Sequence, residues 1–137
     1  MSGLVADASV VIKTILAESG SEDAVGLLAT ATTLRAPQII IAECANAIWK
    51  RVHRGFMDAG NVSAPLGDLM AAPIRLIGLR TLTPAALALS LEYDHPIYDC
   101  YYLAAAIEAD CELATADARL YDLAQRAGLG ARAILVR

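Results

Sequence analysis

Short apolar runs alternate with longer segments of helical periodicity along nearly the whole chain. Residues 3–7, GLVAD, form a run of buried strand type that leads directly into a helix predicted over 9–19. A second helix is predicted over 21–31, opening at Ser21 with Glu22 and Asp23 in its first turn, where the helix dipole favours negative charge. A brief strand over 33–37 stops at Pro37, and residues 38–55 follow as a helix ended by Gly55. Residues 58–72 carry a helical pattern broken by Gly60, Pro65 and Gly67. The pattern then predicts a strand over 74–79, a helix over 83–94 with Pro84 at its start, and a helix over 97–109. A strand over 111–116, a helix opened by Asp117 and closed by Gly128, and a last strand over 133–136 complete the chain. Five short strands with helices between them imply an α/β domain whose central, mostly parallel sheet is covered on both faces. No repeat, low-complexity tract or linker interrupts the alternation, so one domain is expected across residues 1–137.

Composition sharpens this picture. Apolar residues make up 57% of the chain and aromatics only 5%, so the core must be built from Ala, Leu, Ile and Val. That much apolar surface on a small domain favours a partner or a homodimer. No uncharged apolar run reaches the roughly 18 residues of a membrane span, and Asp7 and Lys13 break the N-terminal segment, so a cytoplasmic protein is expected. Cys44, Cys100 and Cys111 form no CxxC pair and are odd in number, which argues against a disulfide framework or a zinc site and for small buried hydrophobes. The net charge of −4 announces no global basic field, although a local basic strip or bound cations would attract nucleic acid all the same.

The candidate chemistry lies in the acids. Ligands of open parallel sheets bind beyond the C-terminal ends of the strands. Asp7 ends the first predicted strand, Asp117 follows the fourth, Asp99 falls in the first turn of one helix and Glu43 in the first two turns of another. Each has an ordinary reading. Asp117 can cap its helix, Asp99 can complement a dipole, and Glu43 sits at the edge of a stripe made by Ile40, Cys44, Ile48 and Val52. Asp7 is different, because the fold does not need a carboxylate at the end of a buried strand. If the four converge they repel one another, and a cation must neutralise them. Oxygen donors without a His or Cys cluster select Mg²⁺ or Mn²⁺, an arrangement suited to metal-assisted phosphodiester hydrolysis.

The segments LVADASVVIK, APQIIIAECANAIWK, PIYDCYYLAAAIEADCELATAD and the closing AILV together resemble the PIN-domain ribonucleases, most closely the toxin subunits of VapBC-type toxin–antitoxin modules. The resemblance rests on four motifs in register and covers nearly the whole chain. It implies a three-layer α/β/α sandwich, a metal-dependent endoribonuclease acting as a toxin, and Mg²⁺ or Mn²⁺ held by Asp7, Glu43, Asp99 and Asp117, with Asp7 and Asp99 foremost. Ser9 and Thr115 match hydroxyl positions that help to orient such a site; ordinary capping is their alternative use. The resemblance also implies an RNA substrate, a homodimer and a cognate antitoxin, and it is weakest over 56–72.

Helical spacing places Asn46, Lys50 and Arg54 in a line running away from Glu43, a candidate RNA phosphate track. The competing reading of Arg51 and Arg54 is a solvated helix C-terminus. Tyr93, Tyr98, Tyr101 and Tyr102 could stack on bases but suit core or dimer contacts better, and Trp49 suits the core or the underside of an antitoxin helix. Asp122 falls on another helix face, while His53 and His95 stand isolated, His95 as loop structure before Pro96. Two other functions remain open: housekeeping RNA processing on the same fold, and a non-nuclease phosphoacceptor or aspartyl-phosphate phosphatase. The phosphatase needs a second acid two residues after Asp7, where Ser9 stands, and a phosphoacceptor would carry a late lysine that AILVR lacks.

Overall fold

In the computed structural model, which describes residues 3–137, five strands lie side by side and all parallel. They are β1 (Gly3–Ala6), β2 (Thr33–Pro37), β3 (Arg75–Ile77), β4 (Glu112–Thr115) and β5 (Ala133–Leu135), in the order β3-β2-β1-β4-β5. The helices are α1 (Ala8–Ile15), α2 (Ser21–Thr30), α3 (Ile39–His53), α4 (Ser63–Ala71), α5 (Leu79–Tyr93), α6 (Ile97–Ala109) and α7 (Ala118–Arg126). Connections between parallel strands are right-handed, and this sorts the helices. The chain moves from β1 outward to β3 and later from β4 outward to β5, in the opposite direction. Helices α1 to α4 therefore cover one face and α5 to α7 the other, the three-layer α/β/α architecture expected from the sequence. The direction reverses between β1 and β4, and their shared C-terminal end is the switch point at which such sheets bind ligands.

Small side chains let these layers approach. On α6, Cys100, Tyr102, Leu103, Ala104, Ala105 and Ala106 are all buried, so the helix presents most of its circumference to protein as it crosses β1, β2 and β4. All three cysteines are buried and free, as their spacing suggested.

Several boundaries differ from the pattern. Helix α1 ends at Ile15 rather than running to 19, because Leu16 turns extended to enter the core and residues 17–19 are solvated. The interrupted segment 58–72 resolves into a single 3₁₀ turn (Ala59–Asn61) followed by α4, which tolerates Pro65 because its first turn needs no N–H there. Strand β3 is shorter than predicted, and α5 begins at Leu79 rather than at residue 83. Pro84 thus lies inside α5, not at its start. The helix continues across it because Leu82 and Ala86, both buried, form one stripe against the neighbouring α6, and Thr83 Oγ1 donates to the Leu79 carbonyl at 2.6 Å. Trp49 is not in the core: it is 56% exposed and stacks on His53 with ring centroids 4.7 Å apart. No helix among the described residues is long and apolar enough to cross a membrane.

Candidate functional site

The site grows from the register of two neighbouring strands. Ala6 of β1 pairs with Ala114 of β4, and the Asp7 N–H continues the ladder to the Ala114 carbonyl at 3.1 Å. Asp7 and Thr115 are thereby carried side by side over the end of the sheet. Thr115 Oγ1 donates to Asp7 Oδ2 at 2.6 Å, while Ser9 Oγ and the Val10 N–H donate to Asp7 Oδ1 at 2.5 and 3.2 Å. Ser9 Oγ in turn accepts the Ala116 N–H at 2.8 Å, and Thr115 Oγ1 accepts the Asp117 N–H at 3.0 Å. Asp7 is therefore the N-cap of α1, yet its second oxygen faces a neighbouring strand, which capping does not require.

Burial decides the electrostatics of Asp7. With only 5% of its surface exposed, desolvation pushes its pKa up to about 6; three hydrogen bonds pull the other way and the Asp99 charge adds to the rise. Glu43, half-buried on α3, is also raised, first by burial and then by the Asp99 charge, against the lowering effect of a hydrogen bond from the Tyr102 hydroxyl to Oε1 at 2.5 Å. Asp99 stands in the first turn of α6, its Oδ2 2.8 Å from His95 Nε2. Cys44 and Cys100 sit under these acids, and burial followed by the acids' charge pushes their thiols up to about 12 and about 11. They are packing groups, not nucleophiles.

The structure thus brings Asp7, Glu43 and Asp99 within electrostatic reach of one another. Asp117 stands differently: it is the N-cap of α7, with Oδ1 accepting the Arg119 N–H at 2.8 Å, joined to Asp7 only through its own backbone and Thr115. Among the described residues, no three His, Cys, Asp or Glu side chains stand close enough to enclose an ion. The donor set nevertheless suits a hard cation. The donors are carboxylate oxygens, Asp7 is desolvated, and no lysine or arginine pairs with Asp7, Glu43 or Asp99 among the described residues. Glu43 Oε2 and Asp99 Oδ1 accept no hydrogen bond from those residues and remain available.

Two contacts went unread in the sequence. His95, set aside there as loop structure, holds Asp99; its position four residues ahead of Asp99 was the available signal. Tyr102 holds Glu43 across 59 residues of sequence, and no local pattern announces such a pairing. The other tyrosines considered for stacking are placed differently: Tyr101 bonds Thr83 at 2.7 Å, Tyr93 lies under Arg126, and Tyr98 is exposed.

Asn46 and Lys50 on α3 and Arg54 at its C-cap are exposed and lead away from Glu43, with Lys50 about 10 Å and Arg54 about 16 Å along the axis. Arg51 is already engaged, bonding Glu18 Oε2 at 2.9 Å and the Ala17 carbonyl at 3.3 Å. Lys50 and Arg54 form no ion pair among the described residues.

The sequence model of the PIN domain matches residues 4–126. The chain is 29% identical over 120 residues to Ribonuclease VapC3 of Pyrobaculum aerophilum, covering 85% of this chain and 91% of that protein. Its fold is similar to the crystal structure of PAE2754 from Pyrobaculum aerophilum, with TM-score 0.70 and 20% identity over 89% of this chain and 79% of that one. It is also similar to Mycobacterium tuberculosis VapC20, a sarcin-ricin loop cleaving toxin, with TM-score 0.65 and 14% identity over 91% and 95% of the two chains. A toxin–antitoxin complex from Klebsiella pneumoniae matches with TM-score 0.61 and 16% identity over 96% and 95%. These structural likenesses speak for the fold. The family match runs from the first strand through α7 and takes in all four acids, so the chain belongs to the PIN domain family.

Proposed function

We propose that this protein is a metal-dependent endoribonuclease and the toxin of a toxin–antitoxin pair, acting in the cytoplasm. One observation carries the reading: a buried, uncompensated Asp7 at the strand switch point, with Asp99 acting electrostatically on both Asp7 and Glu43. The name of the curated relative, Ribonuclease VapC3, supports the reaction class.

Asp7, Glu43 and Asp99 would hold Mg²⁺ or Mn²⁺, with Asp117 at the rim. When bound, such a cation supplies charge compensation and Lewis acidity toward water and phosphate oxygens. The chain's own contribution is orientation. Ser9 and Thr115 fix both oxygens of Asp7, so that this carboxylate cannot rotate away. Glu43 and Asp99 are partly exposed and each has an oxygen that accepts no hydrogen bond among the described residues, which would leave room for an RNA phosphate to approach. Lys50 and Arg54 continue the approach along α3 as phosphate contacts. The antitoxin covers the apolar strip of Ile48, Trp49, Val52 and Leu66 between α3 and α4, and a second copy of the chain completes a homodimer.

Expression of the protein alone in a bacterial host should arrest growth, and the purified protein should cleave RNA only with Mg²⁺ or Mn²⁺ present. Asp99→Asn should abolish both. A folded Asp99→Asn variant that stays equally toxic refutes catalysis by this site.

A further inference from the structure

Helix α6 does more than carry Asp99. Tyr102 lies three residues further on, nearly one turn along the same side of the helix. The residue is only 2% exposed, and its hydroxyl meets one carboxylate oxygen, Glu43 Oε1 on α3, at 2.5 Å. A tyrosine has two side-chain torsions and, packed this way, no freedom in either. A half-exposed glutamate has three, and without a partner it would sample many of their combinations. The contact therefore transfers the rigidity of the core to an acid on a different helix. It also divides the labour of the carboxylate, since Oε1 is held by the phenol and Oε2 is left for a ligand.

We propose that Tyr102 is a positioning residue for Glu43, presetting one carboxylate oxygen for a divalent cation and thereby coupling α6, which supplies Asp99, to α3. The inference rests on the metal-dependent reading of the site. The phenol acts as a donor throughout: burial, then the contact with Glu43 and the neighbouring acid charges, holds its pKa well above the ordinary tyrosine value. Hydrogen bonds that orient a metal-ligating group typically change metal affinity or activity by about 10-fold or more.

The test compares Tyr102→Phe with Tyr101→Phe. Phenylalanine fills nearly the same volume in both. Tyr101, the adjacent residue on α6, loses a hydroxyl contact of similar length to Thr83 that touches no acid. Melting temperatures are recorded in chelator and across a Mn²⁺ or Mg²⁺ titration, and kcat and KM for RNA cleavage are measured at saturating metal. For Tyr102→Phe the metal concentration giving half the thermal shift should rise about 10-fold, and kcat should fall with KM nearly unchanged. Tyr101→Phe should lower the melting temperature in chelator and leave the metal titration and kcat as in the parent. Adding Tyr102→Phe to Glu43→Gln should produce no further change in metal response.

If Tyr102→Phe behaves like Tyr101→Phe, the residue is structural and the inference is overturned while the nuclease reading stands. If the parent itself shows neither metal shift nor RNA cleavage, both fall. Should Tyr102→Phe not fold, 3,5-difluorotyrosine at position 102 keeps the shape and strengthens the donor. The metal midpoint should then move to lower concentration, because the stronger bond holds Glu43 more firmly in its ligating orientation, and an unmoved or raised midpoint overturns the inference.

Discussion

Replacing Asp7 by asparagine should make the metal-free protein more stable at neutral pH, although Asp7 is the best-anchored acid in the site. The rise of its pKa from 3.8 to about 6 means that ionising it in the folded state costs roughly 3 kcal/mol more than in the unfolded chain. The sign follows from proton counts: between pH 4 and 6 the folded state holds this proton and the unfolded state has lost it, so stability falls as pH rises through that window and levels off above it. Asparagine removes the ionisation but keeps one acceptor oxygen. Its Nδ2 can donate to Thr115 once that hydroxyl rotates, so about 1 to 1.5 kcal/mol of hydrogen bonding is forfeited. The net gain at pH 7.5 is about 1.5 to 2 kcal/mol, or about 5–7 °C for a chain of this length. Urea unfolding in chelator, from pH 4 to 8, should show the parent losing stability relative to Asp7→Asn across pH 4 to 6 and the two curves running parallel above. Added Mn²⁺ should reverse the order, since only the parent gains from binding. A variant less stable than the parent at pH 7.5 without metal, or a difference that does not change between pH 4 and 6, refutes the assignment of Asp7 as a destabilised, uncompensated carboxylate.

Lys50→Ala and Arg54→Ala should each weaken RNA binding for any sequence and reduce the slope of log affinity against log salt by about 0.7, measured by filter binding. Arg51→Ala should leave that slope unchanged and cost at most about 1 kcal/mol of stability, because its charge is already paired with Glu18. Gly20→Ala should destabilise by about 2 kcal/mol or more, since φ is +86° there and the new Cβ would lie 2.3 Å from the Arg137 carbonyl oxygen. Gly26→Ala, inside α2 with open space around it, should instead stabilise by about 0.5 to 1 kcal/mol, and paired urea titrations test both.

Local periodicity sufficed wherever an element's identity depends on its own residues. The four-residue apolar run of β1 and the acid-rich first turn of α2 were legible for that reason. Sequence failed where tertiary packing overrode a local signal. Pro84 reads as a helix start, yet Leu82 and Ala86 place one buried stripe on both sides of it, and that stripe sets the boundary at Leu79. Trp49, the single tryptophan, suits either the core or the underside of a partner helix in sequence, and the core alternative falls because that side of α3 is already filled by Ile40, Cys44 and Ile48, which leaves the indole outside.

The acids divide along the same line. That Asp7 ends a buried strand is a one-dimensional fact. That its second oxygen meets Thr115 depends on β1 lying beside β4, a consequence of the strand order rather than of either strand. Asp117 shows why a cap and a ligand cannot be told apart in sequence, because both uses demand an acid immediately before a helix. The two acids use their oxygens differently: Oδ1 of Asp117 serves the Arg119 N–H, while Asp7 caps with Oδ1 and engages the neighbouring strand with Oδ2. A carboxylate held on both sides has one orientation. Asp7 is therefore held at both oxygens, whereas Glu43 and Asp99 are each anchored at one, through Tyr102 and His95, which leaves Glu43 Oε2 and Asp99 Oδ1 without a hydrogen-bond donor among the described residues.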